Sequence, residues 1–191
     1  MKKRVDRRVK RTRDMLRKGL AHLLEEKSIK EITVSELVDY VDINRSTFYL
    51  HYKDIFDLLD HIEKEIIEEI TIAMEEEVFD PNKGKQNYPL VERIFRILYE
   101  NKEICKALLG PNGDYSFVIE IEKIVENATI ESFYEKFPEN IGDVNFIYSF
   151  CITGCAGLIK TWLAGGAEDT PEHMAYLTFK MIEGTKKTFI G

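Results

Sequence analysis

Residues 45–53 read Arg-Ser-Thr-Phe-Tyr-Leu-His-Tyr-Lys, a run in which hydrogen-bond donors are interleaved with aromatic rings. Arg45, Ser46, Thr47, Tyr49, His51 and Lys53 bring guanidinium, hydroxyl, phenol, imidazole and ammonium groups, which suit phosphate oxygens and the edges of bases. This is binding chemistry. A nucleophile elbow, a phosphate loop and a metal-spaced set of His, Cys and Asp are all missing from the sequence. The four histidines, His22, His51, His61 and His173, are scattered along the chain. No catalytic residue, metal ligand or cofactor is therefore assigned, and the enzyme reading is set aside.

The donors need a helix to present them. Phe48, Ile43 and Tyr52 are spaced to face a core, which leaves Arg45, Ser46, Thr47, Tyr49 and His51 on the outward side. Asn44 is an N-cap residue for this helix, predicted over residues 45–52. A preceding helix starts at Thr33, whose Thr-x-x-Glu spacing to Glu36 predicts a capping box ahead of Leu37, Val38 and Val41. Its free N–H groups at Thr33 suit a phosphate. Asp42-Ile43-Asn44 makes a short turn, giving the proportions of a helix-turn-helix, in which the second helix enters the major groove. A first helix runs from about 8 to 26, with Leu16, Leu20, Leu23 and Leu24 on one stripe.

Charge supports the same end of the molecule. The chain has 191 residues and a net charge of -7, which taken whole argues against nucleic acid. Residues 1–53, however, carry 14 Lys and Arg against 8 Asp and Glu, and the remainder 13 against 26. A basic head on an acidic body is what a phosphate-facing end needs, because Lys and Arg displace counterions from a duplex.

Beyond residue 54 helical periodicity continues and no alternating strand is found, so the fold class is all-α with about nine helices. Asp54 is placed to cap a long helix with Ile55, Leu59, Ile62, Ile66, Ile70 and Met74 inward, broken by residues 80–84. Pro89 opens the next, and a short one covers about 104–109. The seventh reaches about 137 with Phe117, Ile121, Ile124, Val125 and Ala128 inward. The eighth reaches about 164 and ends at Gly165-Gly166. Thr170 and Pro171 open the last as N-cap and first-turn proline. The uncharged stretch from Val144 to Ile159 is read as too short and too polar to span a bilayer, and as a buried helix. With no apolar segment following the basic start, a cytoplasmic protein without a membrane partner is expected. Three cysteines do not make a disulfide framework, and Cys151 and Cys155, sharing a helix face at i,i+4, are read as small buried hydrophobes.

The stretch Thr33-Val34 to Val41, then Ile43-Asn44-Arg45-Ser46-Thr47-Phe48-Tyr49-Leu50-His51-Tyr52-Lys53-Asp54, then Leu58-Leu59, resembles the TetR family of repressors. The resemblance covers roughly residues 8–60. It implies a helix-turn-helix DNA-binding domain over 1–54 and a helical effector-binding and dimerisation domain over 55–191. It gives Arg45, Ser46 and Thr47 to groove contacts, and Tyr49, His51 and Lys53 mainly to phosphates. Two positions depart from the family pattern. Asp42 replaces the turn glycine, which a residue tolerant of left-handed backbone can do, and Ile55 replaces a lysine, removing one phosphate contact.

What the resemblance implies for function is a dimeric, ligand-responsive repressor of a double-stranded, palindromic operator, controlled by a small-molecule effector. The dimer is expected through the last two helices, at Phe150, Gly154, Gly157 and Ile159. Phe95, Tyr99, Phe117, Tyr134 and Trp162 are the candidate lining of an effector pocket, favouring an apolar or aromatic, uncharged or weakly cationic compound. The alternative keeps the DNA-binding head and replaces the small molecule by a protein partner.

Overall fold

The computed structural model describes residues 7–76, 88–113, 115–136 and 141–190, with side chains described except at 115, 131–136, 141, 142 and 186–190. The break expected at 80–84 lies outside the described residues, as does the first part of the loop expected at 138–143; residues 141–143 are helical instead and open the eighth helix. Those residues form nine α-helices and a 3₁₀ turn, with no strand among them. The helices are α1 (Arg7–Glu26), α2 (Val34–Tyr40), α3 (Arg45–Tyr49), α4 (Ile55–Glu76), α5 (Tyr88–Glu100), α6 (Lys102–Leu108), α7 (Tyr115–Lys136), α8 (Ile141–Ala164) and α9 (Pro171–Ile190).

The chain divides into two compact units. The first comprises Met1–Glu65 with Glu103–Tyr115, and the second Ile66–Lys102 with Ser116–Gly191. The first unit is thus larger than the expected 1–54, and takes in α6 from nearly forty residues downstream. Lys106 on α6 pairs with Glu25 at 2.8 Å, and Asn112 donates to the Glu25 carbonyl at 3.4 Å. α4 runs without a break from the first unit into the second.

Leu16, Leu20, Leu23 and Leu24 of α1 are buried, as are Leu37 and Val38 of α2, Phe48 of α3, and Ile55, Leu58, Leu59 and Ile62 of α4. The 3.6-residue period puts each set on one stripe, and the stripes share a core. α1 and α2 meet closely at Gly19, where a Cβ would lie 2.4 Å from Val41 Cγ1 and 2.9 Å from Leu37 Cδ1. A branched side chain there must displace Val41, a half-buried, β-branched neighbour. Gly19→Val is expected to lower the stability of this unit by about 3 kcal/mol, the upper end for overpacking, and β-branching gives back little helix propensity. Urea unfolding followed by circular dichroism measures it; an unchanged midpoint would refute the close approach.

In the second unit α5 packs on α9. The rings of Tyr88 and Phe179 meet edge to face at 6.4 Å, Tyr88 OH donates to the Glu172 carbonyl at 2.6 Å, and Arg96 bridges Glu92 and Glu172. In α7, Phe117 is buried as expected, but Ala128 is exposed and its neighbour Thr129 turns inward, meeting the Tyr148 hydroxyl at 3.0 Å. A hydroxyl that finds a partner can be buried at small cost.

α8 departs from the expected buried helix. It has two stripes: Val144, Ile147, Tyr148, Trp162 and Leu163 are buried, whereas Phe146, Phe150, Gly154 and Gly157 face outward. From Asp143 to Ala164 it is long and apolar enough to cross a membrane by length and composition alone, with 22% of that window buried. Periodicity could not separate the cases, because both stripes are uncharged. All three cysteines are free; Cys105 is buried, and Cys151 and Cys155 are half-buried on α8. Burial pushes the Cys155 thiol up to about 11, so it stays protonated and weakly nucleophilic at neutral pH.

Candidate nucleic-acid interface

The interface is built from three short caps and one tight turn. Thr33 Oγ1 accepts the Glu36 N–H at 3.2 Å and starts α2. The reciprocal half of the predicted box goes elsewhere, because the Glu36 carboxylate takes the Lys27 ammonium, which holds Glu36 below its usual pKa. A complete capping box forms instead at Ser28 and Glu31, where Glu31 Oε2 accepts from Ser28 N at 3.1 Å. α2 ends at Tyr40 with Val41 as its C-cap, and Asp42 follows with a φ of 53°, the left-handed conformation expected of the residue standing in for glycine. Asn44 Oδ1 then accepts the Ser46 N–H at 2.8 Å and starts α3.

α3 shows alpha-helical bonds from Arg45 to Tyr49, shorter than the predicted 45–52, and tight turns carry it on through Tyr52. Phe48 is fully buried and Tyr52 nearly so, their ring centroids 5.8 Å apart. With that side fixed, Arg45, Ser46 and Tyr49 are exposed, and Thr47 and His51 half-exposed. The exposed row is partly pre-ordered: Arg45 donates to Tyr49 OH at 3.1 Å, and its guanidinium carbon stands 5.6 Å from the centroid of that ring. Both donors are thereby held on one helical turn, at i and i+4.

Lys53 is exposed just past the end of α3. Its backbone N–H donates to Asp57 Oδ2 at 2.8 Å, while Asp54 Oδ1 accepts the Asp57 N–H at 2.9 Å and caps α4. His61 Nδ1 donates to the Asp57 carbonyl at 2.7 Å, and the His61 ring meets Tyr52 edge on at 5.4 Å. Asp57 is thus the residue that ties the Lys53 backbone to α4. Sequence reading missed it, although an acidic residue in the first turn of a helix is its signal. Ile55 is buried in the core, so the position where the family carries a lysine turns inward here. On α1, Arg13 and Arg17 lie 3.9 and 3.7 Å from Glu65, while Arg7, Arg8, Lys10, Arg11 and Lys18 stay exposed.

The other candidate residues lie in the second unit. Phe95 and Trp162 are buried with ring centroids 5.4 Å apart, Tyr99 stacks on Trp162 at 6.1 Å, and Trp162 Nε1 donates to the Asp169 carbonyl at 3.0 Å. Three of the five aromatics thus come together, packed on one another. Phe117 is buried on α7, and the Tyr134 side chain lies outside the described residues. Of Phe95, Tyr99, Phe117 and Trp162, none lines the two described cavities, of about 330 and 490 Å³, which lie on α8 and α9 beside Phe150, Gly154, Cys155 and Met181 in one case and Phe146, Phe150 and Thr153 in the other. Of the residues expected at a subunit interface, Phe150, Gly154 and Gly157 share the outward stripe of α8, and a Cβ on either glycine would meet nothing within 4 Å. Ile159 falls on the opposite, inward stripe and is half-buried; it lies about 200° around the helix from Gly157.

Comparison with known proteins is consistent with this architecture. Residues 85–184 match the TetR_C_8 family model, described as a transcriptional regulator C-terminal region. An uncharacterized HTH-type transcriptional regulator of Bacillus subtilis (strain 168), YxbF, is 41% identical over 76 residues, which are 37% of this chain and 20% of that protein. The chain therefore aligns with only about a fifth of that relative's length. Three solved structures share the fold. A TetR transcriptional regulator from Streptococcus agalactiae 2603V is 20% identical, with a TM-score of 0.57 over 93% of this chain and 96% of its own. The dihydroxyacetone kinase operon activator DhaS is 17% identical, with a TM-score of 0.56 over 93% and 97%. The fatty acid degradation regulator FadR from Bacillus halodurans is 10% identical, with a TM-score of 0.63 over 89% and 93%.

Proposed function

Because the chain belongs to the TetR family of transcriptional regulators, we propose that it is a cytoplasmic repressor that binds a palindromic operator as a homodimer and is released by an effector. The observation that carries the DNA-reading part is the exposed row of Arg45, Ser46 and Tyr49 on an Asn44-capped helix whose other side is locked by Phe48 and Tyr52. Such a helix enters the major groove while Lys53, His51 and the basic face of α1 meet phosphates. Two heads related by a two-fold axis read two half-sites. The outward stripe of α8, with Phe146, Phe150 and the open glycines, is the surface proposed to supply that axis.

The effector is proposed to be an uncharged or weakly cationic, apolar or aromatic compound seated among Phe95, Tyr99, Phe117, Tyr134 and Trp162. Two features support this chemistry. The acidic excess beyond residue 53 disfavours anions, and the Tyr99 ring already carries the Lys102 ammonium 5.0 Å from its centroid. A compound there must part the Trp162–Tyr99 stack. It acts only through different affinity for the two states of the dimer, so operator DNA weakens its binding by the same factor. The second reading, a protein partner in place of the compound, is favoured by the solid mutual packing of Phe95, Tyr99 and Trp162.

Footprinting on the DNA upstream of the protein's own gene tests the reading. A symmetric protected site is expected, and a reporter fused to that region should rise when the gene is deleted. Arg45→Ala should relax preference at one operator position by about 1–3 kcal/mol. Lys53→Ala should weaken all sequences alike and reduce the salt slope by about one. Equal, sequence-independent losses from both variants would overturn the division between base and phosphate readers.

A further inference from the structure

Among the described residues the most exposed large apolar side chain is Leu50, at 79%. A lone exposed leucine is ordinarily unremarkable; its place in the fold gives this one meaning. The Leu50 N–H still bonds the Ser46 carbonyl at 3.2 Å, and its φ and ψ of −71° and −19° are helical, so the helical wheel of α3 extends to it. At 100° per residue, Leu50 stands about 160° from both Phe48 and Tyr52, the two rings that fix the buried side. It therefore occupies the middle of the outward face, one turn beyond Ser46, with Tyr49 beside it.

A helix that presents only donors on this face would read acceptors alone. The major groove offers one apolar group, the C5 methyl of thymine. We propose that Leu50 is a specificity-determining residue that packs on a thymine methyl in each half-site, reading a base that the polar residues of α3 do not select. The inference rests on the DNA-reading function proposed above, and it names what one further position of the operator must be. Leu50 makes its contribution without a hydrogen bond, so it sharpens sequence choice and leaves the number of phosphate contacts unchanged.

The test uses the full-length protein and sites selected from random-sequence DNA. Each selected thymine is replaced singly by uracil, which removes the methyl and keeps every hydrogen-bonding group. At one thymine per half-site the wild-type protein should lose about fourfold in affinity, the value of one buried methyl-sized group. Leu50→Ala should bind the thymine and uracil forms equally well, with the salt dependence of wild type. Because Leu50 lies outside the core, its replacement should also leave the melting temperature unchanged. If no thymine shows this difference, or if Leu50→Ala and wild type respond to uracil alike at every position, Leu50 does not read a methyl. A protein that selects no sequence at all would overturn the DNA-reading function itself and this inference with it, an outcome distinct from the other two.

Discussion

Phe150→Asp is expected to convert the protein into a monomer and to remove operator binding at working concentrations. Phe150 is 69% exposed and Phe146 76%, on the same face of α8 as two glycines with open space before them. Two phenyl rings in water, beside a backbone that a neighbouring helix can approach closely, suit the centre of the proposed association surface. A truncated anchor of this kind costs at least about 2 kcal/mol, and a two-fold axis counts it twice. The dimer is then weakened about a thousandfold, before adding the penalty of a carboxylate enclosed by apolar groups. Since Phe150 takes no part in the core, circular dichroism should be unchanged. Sedimentation equilibrium gives the mass; a variant that keeps twice the chain mass would exclude this face as the interface.

Phe48→Ala should have an effect of comparable size by a different route. The ring is fully buried and holds α3 against the first unit, and deleting a buried phenylalanine costs about 3–5 kcal/mol. That approaches the whole stability of a small unit, so the recognition helix is lost along with all operator binding. Trp162, the single tryptophan, lies in the second unit. Its fluorescence reports on that unit, through its contacts with Phe95, Tyr99 and Asp169. On heating, the variant should lose part of its helical dichroism well before Trp162 fluorescence changes. Coincident transitions would show instead that the two units unfold together.

The head could be read from the sequence because its determinants are local. Asn44, Asp54, Thr170 and the threonine half of the Thr33 cap act within four residues of themselves, and the left-handed turn at Asp42 follows from the family resemblance, in which that position is a glycine. The partner of Glu36 could not be read, because Lys27, nine residues away, competes for the same carboxylate. The grouping of α6 with the first unit is made by contacts across some eighty residues, Lys106 with Glu25 among them, and no periodicity encodes it. α8 shows the same limit differently. Periodicity says which residues share a face, but two apolar stripes look like one fully buried helix until the packing assigns one of them to the core. Leu50 carries no donor, so nothing in its side chain distinguishes it in sequence from an ordinary core leucine; only its exposure in the fold does.

The grouping of α6 with the head has a consequence for how the protein is made. Residues 103–115 complete a unit whose other members end at Glu65, while the chain between them belongs to the second unit. A nascent chain leaves the ribosome at roughly 5–20 residues per second. The DNA-reading end therefore spends several seconds without α6, after its own first 65 residues have emerged. During that interval Glu25 lacks the Lys106 ammonium, and the apolar face of α6, with Ile104, Cys105 and Leu108, has not been delivered. The first unit is therefore incomplete until residue 115 has been made, and a fragment cut after residue 65 reproduces that unfinished state rather than an independent head.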